Sequence, residues 1–151
     1  MNVFELITLN APLGCACLCW LMAQILKVLI TLVTERRYDI GRLLAPGGMP
    51  SSHAAFVTGL AVTMGVQQGF GSPYFAICAA LALVVMYDAC GVRRAVGEQA
   101  KVINRIIARQ KAKDGHFEEN LKEILGHTPL QVAAGFILGV IIAIIFVSIN
   151  R

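Results

Sequence analysis

The sequence predicts an all-α integral membrane protein: a bundle of about four transmembrane helices plus an amphipathic cytoplasmic helix. Three observations carry this. Of the 151 residues, 57% are hydrophobic and the mean hydropathy is +0.70, above the apolar share of a soluble domain. Only 15% of residues are charged, and they are clustered rather than spread. The apolar residues also gather into runs close to the ~20 residues that a helix needs to cross a hydrocarbon core. Inside lipid every backbone group needs a partner within the chain, so helices are the expected spanning form. The length allows a single membrane-embedded domain, 1–151.

Four runs are candidates. The first, about 11–33, is APLGCACLCWLMAQILKVLITLV; it lacks the basic leader and small-residue cleavage site of a signal peptide. The second, about 54–70, is short and interrupted by Gln67 and Gln68. The third, about 73–92, opens on Pro73 and carries Asp88 near its end. The fourth, about 129–149, is PLQVAAGFILGVIIAIIFVSI. Basic residues fall in alternate connections. Arg36, Arg37 and Arg42 lie between the first two runs, and eight Lys and Arg from Arg93 to Lys122 lie between the last two. Gly71 and Ser72, between the second and third, carry no charge. Because cytoplasmic loops concentrate Lys and Arg, both basic loops are expected inside and both termini outside.

The segment 93–126 is a cytoplasmic insertion. Val92, Val96, Gln99, Ile103, Ile106 and Ile107 recur at helical spacing, and Arg94, Glu98, Lys101, Arg105 and Arg109 take another face. Such a helix suits an interface with anionic headgroups. A polar turn is expected from Lys111 to Glu119, and FEENLKEILGH reads as a short helix that Gly126 ends. The five cysteines have no C-x-x-C pair and no histidine at ligand spacing, so they read as small packing residues. No cofactor, metal or nucleic-acid partner is expected.

The chemistry gathers where helices begin. GGMPSSHAAF, Gly47 to Phe56, places glycines, Pro50, Ser51, Ser52 and His53 at the mouth of the second run. Pro50 suits a first helical turn, either serine can cap, and free N–H groups at a helix start favour an anion. LGHTPLQVAAG, Leu125 to Gly135, repeats the design, with His127 just before Pro129. Lys27, Arg36, Arg37, Arg42, Arg93 and Arg94 are the cations near the same membrane face. Lys27 alone fits snorkelling equally well. Two histidines and several cations together supply what phosphoryl transfer needs: a nucleophile, an acid for the leaving oxygen, and fixed positive charge.

MPSSHAA and GHTPLQVAAG resemble the PSGH and H-x-P-x-D-V-x-x-G signatures of the type 2 phosphatidic acid phosphatase superfamily. With VVMYDACGVRR between them, the chain is similar to the divergent branch of that superfamily, related to acid phosphatases and vanadium haloperoxidases. The resemblance implies that His127 attacks phosphorus to form a phosphohistidine and that His53 protonates the leaving alkoxide. It implies phosphate contacts from Lys27, an arginine and Ser52 with nearby N–H groups. The superfamily's last arginine falls at Leu121 here, so Arg93 or Arg94 is expected to replace it. The superfamily's first motif pairs a Lys with a nearby Arg-Pro; here Lys27 is followed by Arg36 and Arg37, with Pro46 further on, and Arg37 is the expected phosphate contact. The superfamily's carboxylate, four residues after the nucleophile, is Gln131, which can accept a hydrogen bond but brings no charge. Asp88 and Glu123 are the acids that could stand in, and Asp88 is equally expected as an ion-pair partner of Arg93 or Arg94. The substrate class is a membrane lipid carrying a phosphate monoester or diphosphate: phosphatidic acid, phosphatidylglycerol phosphate or a polyprenyl phosphate. The alternatives are a lipid-phosphate binding or transport protein without turnover, and a structural membrane protein whose histidines only cap helices. A homodimer is the general expectation for a small four-span protein.

Overall fold

The computed structural model describes residues 10–35, 48–114 and 126–150. Among them there are five helices and no strand: α1 (Ala11–Glu35), α2 (Ser52–Gln68), α3 (Pro73–Cys90), α4 (Val92–Asp114) and α5 (Pro129–Ile149). The all-α expectation therefore holds.

The packing is inverted relative to a soluble protein. The buried side chains are small, with Cys15, Ala16, Cys19 and Ala23 on α1 and Gly135, Gly139 and Ala143 on α5. Large residues such as Leu21, Leu29, Ile77, Leu83, Ile137 and Ile144 face outward. Small buried faces let helix backbones approach closely, and an apolar exterior is stable only in lipid. Gly135 and Gly139 show this most directly. A Cβ at either would run into the backbone carbonyl of Ser51 or Ala55 on α2. The cysteines behave as packing residues: Cys15 and Cys19 are core, and all five are free thiols.

Three helical stretches are long and apolar enough to cross a membrane: Ala11–Thr34, Pro73–Arg109 and Pro129–Ile149. The fourth expected run differs. α2 has 17 residues, about 25 Å of helix, against a hydrocarbon core of ~30 Å. Its length is offset by burial, because α2 packs against α1, α3 and α5 and is the centre of the bundle. Gln67 and Gln68 do not break it; the helix runs through both and stops at Gly69, whose φ is +87°.

Helix starts follow side-chain chemistry. Asn10 accepts from the N–H of Leu13, Ser51 Oγ from Ala54, Ser72 Oγ from Phe75, and Thr128 Oγ1 from Gln131. Ser51 is thus the cap of α2, which moves Pro50 outside the first turn expected for it; Pro73 and Pro129 do occupy first turns. On α1, Thr31 and Thr34 satisfy their hydroxyls on the carbonyls of Lys27 and Ile30, four residues back.

α3 ends at Cys90, where Gly91 N–H bonds the Tyr87 carbonyl, and α4 starts at once. α4 extends to Asp114, so the turn expected from Lys111 begins later than the sequence suggested. Only Gly97 and Ala100 are buried on α4 among its residues up to Arg109, and α3 is its packing partner among the described elements. The short helix expected after His116 lies outside the described residues.

Candidate active site

The site forms at one end of the bundle, where α1 and α3 finish and α2 and α5 begin. Three backbone contacts fasten that end. Ser51 N–H donates to the Gln131 carbonyl at 3.0 Å, joining the starts of α2 and α5. His127 N–H donates to the Ala89 carbonyl at 3.1 Å, joining α5 to the end of α3. Gly126 lies against the backbone of Arg93 and Arg94, where no Cβ fits.

His127 is 8% exposed. Its Nδ1 is 3.1 Å from Gln131 Oε1, one helical turn on, and the same oxygen accepts from Thr128 N–H at 3.1 Å. Thr128 and Gln131 form a reciprocal capping box, since Gln131 N–H also donates to Thr128 Oγ1. Burial pushes the His127 imidazole below its usual range. The Gln131 bond opposes that shift, and the charges of Lys27, His53 and Arg93 add to it. That set of neighbours brings the two histidines and two of the expected cations within electrostatic reach of one another. Burial also pushes the His53 imidazole below its usual range, and the charges of Arg93 and Lys27 add to that shift.

Lys27 is 4% exposed and makes no ion pair with a described residue. Its stem lies under Gly48, where a Cβ would come within 3.1 Å of Lys27 Cγ and Cδ. Gly48 has φ +85°, a conformation open to glycine, so the loop covers the lysine without a side chain of its own. Burial with no carboxylate beside it among the described residues differs from the pattern of a snorkelling lysine, whose head reaches water.

Of the two arginines after α3, Arg93 joins the site. Its Nε bonds Asp88 Oδ2 at 2.6 Å, across the break at Gly91. Asp88 is therefore the ion-pair partner anticipated for it, and it serves Arg93 rather than standing in for a carboxylate at His127. Arg94 is exposed and contributes its backbone to the contact with Gly126. Ser51, expected to bind phosphate, is fully buried; its N–H donates to the Gln131 carbonyl and its Oγ accepts from Ala54 N–H, so it caps α2 and ties α2 to α5. Ser52 is buried beside it. Among the described residues no acceptor meets the amide N–H of Ser52 or His53, as at any open helix start. Arg37 and Glu123 lie outside the described residues.

Three contributors escaped the sequence reading: Gly126, Thr128 and the Ala89 carbonyl. Thr128 was legible, because Thr-Pro-Leu-Gln has the spacing of a capping box. Gly126 and Ala89 act through backbone contacts between distant segments and leave no local signature.

An apolar groove of about 340 Å³ runs between α1 and α5, lined by Leu26, Ile30, Met49, Pro50, Ile137 and Ile141 among others. It reaches the site end, because Pro50 precedes Ser51 and Leu26 precedes Lys27.

Residues 8–142 match the sequence pattern described as the divergent PAP2 family. The chain belongs to that family. It is also similar to a protein of Bacillus subtilis (strain 168) described as uncharacterized membrane protein YuiD. The two are 37% identical over 152 residues, covering 93% of this chain and 96% of that protein. No solved structure matches the chain. Family membership agrees with the resemblance carried by MPSSHAA and GHTPLQVAAG, and the apolar helices agree with a membrane protein.

Proposed function

We propose that this PAP2-like membrane protein is a lipid phosphatase. It removes a phosphate monoester or diphosphate from a membrane lipid, through a phosphohistidine on His127 and without requiring a metal. The observation that carries this reading is the convergence of Lys27, Arg93, His53 and His127 at two neighbouring helix starts. A buried lysine with no ion-pair partner among the described residues, and N–H groups at the start of α2 that meet no acceptor among them, support a site for a dianion.

The reaction needs two steps. In the first, a ring nitrogen of His127 gives its lone pair to phosphorus. The bond from phosphorus to the lipid oxygen breaks, and imidazolium His53 gives that oxygen a proton. In the second, neutral His53 takes a proton from water as its oxygen attacks phosphorus. The N–P bond breaks, its electron pair returns to the ring, and inorganic phosphate leaves. Lys27, Arg93, Ser52 and the N–H groups of Ser52 and His53 hold the phosphate oxygens where charge develops. The groove between α1 and α5, which is apolar and includes Met49 and Pro50 beside the start of α2, supports a substrate with a hydrocarbon tail.

In this reading α2 completes a fourth crossing, and the basic connections place the site on the cytoplasmic side. Anionic headgroups would meet the basic face of α4. A binding or transport protein is the second reading, and the uncharged Gln131 favours it.

Purified full-length protein in detergent micelles, given phosphatidic acid, phosphatidylglycerol phosphate or a polyprenyl phosphate in EDTA, decides between them. Phosphate release that disappears in His127→Ala is the expected result. Retained binding with no release supports the second reading, and release unaltered in His127→Ala refutes the phosphohistidine.

A further inference from the structure

Resting on that reading, we propose that Gln131 fixes the tautomer of His127 through the helix cap, so that Nε2 is the atom that attacks phosphorus. An amide side chain alone is ambiguous, because its oxygen and nitrogen can exchange places and reverse its hydrogen bonding. The backbone removes that ambiguity here. Thr128 N–H can only donate, and it points at Gln131 from 3.1 Å. The amide NH₂ in that place would set donor against donor, so the oxygen must occupy it.

The same oxygen is 3.1 Å from His127 Nδ1. A nitrogen facing an acceptor at that distance carries a proton. In a neutral imidazole the other nitrogen, Nε2, then holds the lone pair. Two further bonds keep the arrangement in register: Gln131 N–H to Thr128 Oγ1 at 3.3 Å, and His127 N–H to the Ala89 carbonyl at 3.1 Å. A helix cap that would ordinarily serve stability alone is thereby joined to the chemistry of the ring beside it.

Gln131 acts through His127 and is a positioning residue. In comparable triads the carboxylate has two tasks, holding the tautomer and stabilising the positive ring. Gln131 performs the first and leaves out the second. The groups that face His127 from other described elements are Lys27 on α1, His53 on α2 and Arg93 on α4; burial first, and then their charges, lower the ring's affinity for a proton. Asp88, at the end of α3, is occupied by Arg93. When Nε2 attacks, Nδ1 keeps its proton and the positive charge gained by the ring has no carboxylate against it among the described residues.

The test is nitrogen-15 NMR of the histidine rings in full-length protein in micelles, with His127→Ala to assign the signal. Wild-type His127 is expected as the Nδ1–H form at neutral pH. Gln131→Glu preserves the capping box. It should keep that tautomer, raise the titration of His127 by about one unit or more, and speed formation of the phosphohistidine. Gln131→Met, of similar length without an acceptor, should release the ring to the Nε2–H form and lower phosphate release by roughly 10²-fold or more. Phosphorus NMR of the trapped intermediate should show the phosphoryl group on Nε2. An Nε2–H ring in the wild type, an unchanged tautomer in Gln131→Met, or phosphate on Nδ1 would each overturn the proposal. The ring spectra need no turnover, so a protein that releases no phosphate refutes the phosphatase reading and the attack step while the tautomer is judged separately.

Discussion

His53 and His127 both stand at capped helix starts, yet only one ring is held. His127 precedes its cap, is almost fully buried, and is fastened by its backbone to Ala89 and by its ring to Gln131. His53 lies one residue inside α2, is exposed, and has no ring partner among the described residues. The difference matches two kinds of work. A nucleophile gains from one fixed lone-pair direction, because misplacement by an ångström is costly. A group that gives a proton to one oxygen and takes it from another must serve both, and tight bonding would hinder that.

Substitution of the two rings tests this division most severely. His127→Ala should reduce phosphate release by roughly 10⁴-fold or more and abolish the phosphohistidine. His53→Ala should cost roughly 10²- to 10⁴-fold on an alkyl phosphate. It should cost much less on an aryl phosphate, whose leaving oxygen needs no proton. Equal losses on the two substrates would show that His53 is not the acid.

The held ring also depends on its backbone seat. Gly126→Ala puts a Cβ into the backbone of Arg93 and Arg94 and should destabilise the protein by about 1–3 kcal/mol, seen as a lower midpoint of thermal unfolding in detergent. Phosphate release should fall as well, because the shift moves His127 away from His53. A normal midpoint would mean that the seat is soft.

The pH profile addresses the charge around the held ring. Burial and the cations Lys27 and Arg93 lower His127's affinity for a proton, so neutral ring persists below the usual ~6.5. The loss of rate that follows His127 protonation should begin under that pH. Arg93→Gln removes a positive charge and should move that acid limb upward. A downward move would mean that Arg93 does not act on the ring.

The smallest effect expected is at Asp88. Asp88→Asn frees Arg93 and should raise KM several-fold, with stability changed by less than about 1 kcal/mol, because the pair is partly exposed. A large change in kcat with normal KM would give Asp88 a role at the reacting atoms.

Much of the local design was readable in advance. Helix starts were marked by Pro and Ser, and α4 by its three-and-four spacing, because caps and amphipathicity depend on residues within one or two turns. The lipid-facing character of α1, α3 and α5 followed from length and apolarity alone. The end of α4 was misplaced because Lys111, Lys113 and Asp114 are polar, and polar residues continue a helix as readily as they leave it. α2 was read as another span like the rest. Its central burial comes in part from Gly59, Gly135 and Gly139, which let α1 and α5 close on it, and a single segment does not reveal that.

From the sequence alone came the helical membrane class, the two histidines and the stock of cations around them. The tertiary structure decided which of those groups meet: Arg93 beside Asp88, Gln131 beside His127, and Ser51 on the Gln131 carbonyl. Caps and periodicity are short-range properties written in neighbouring residues. Contacts between helix ends depend on how closely backbones pack, and that is settled only when the helices are assembled against one another.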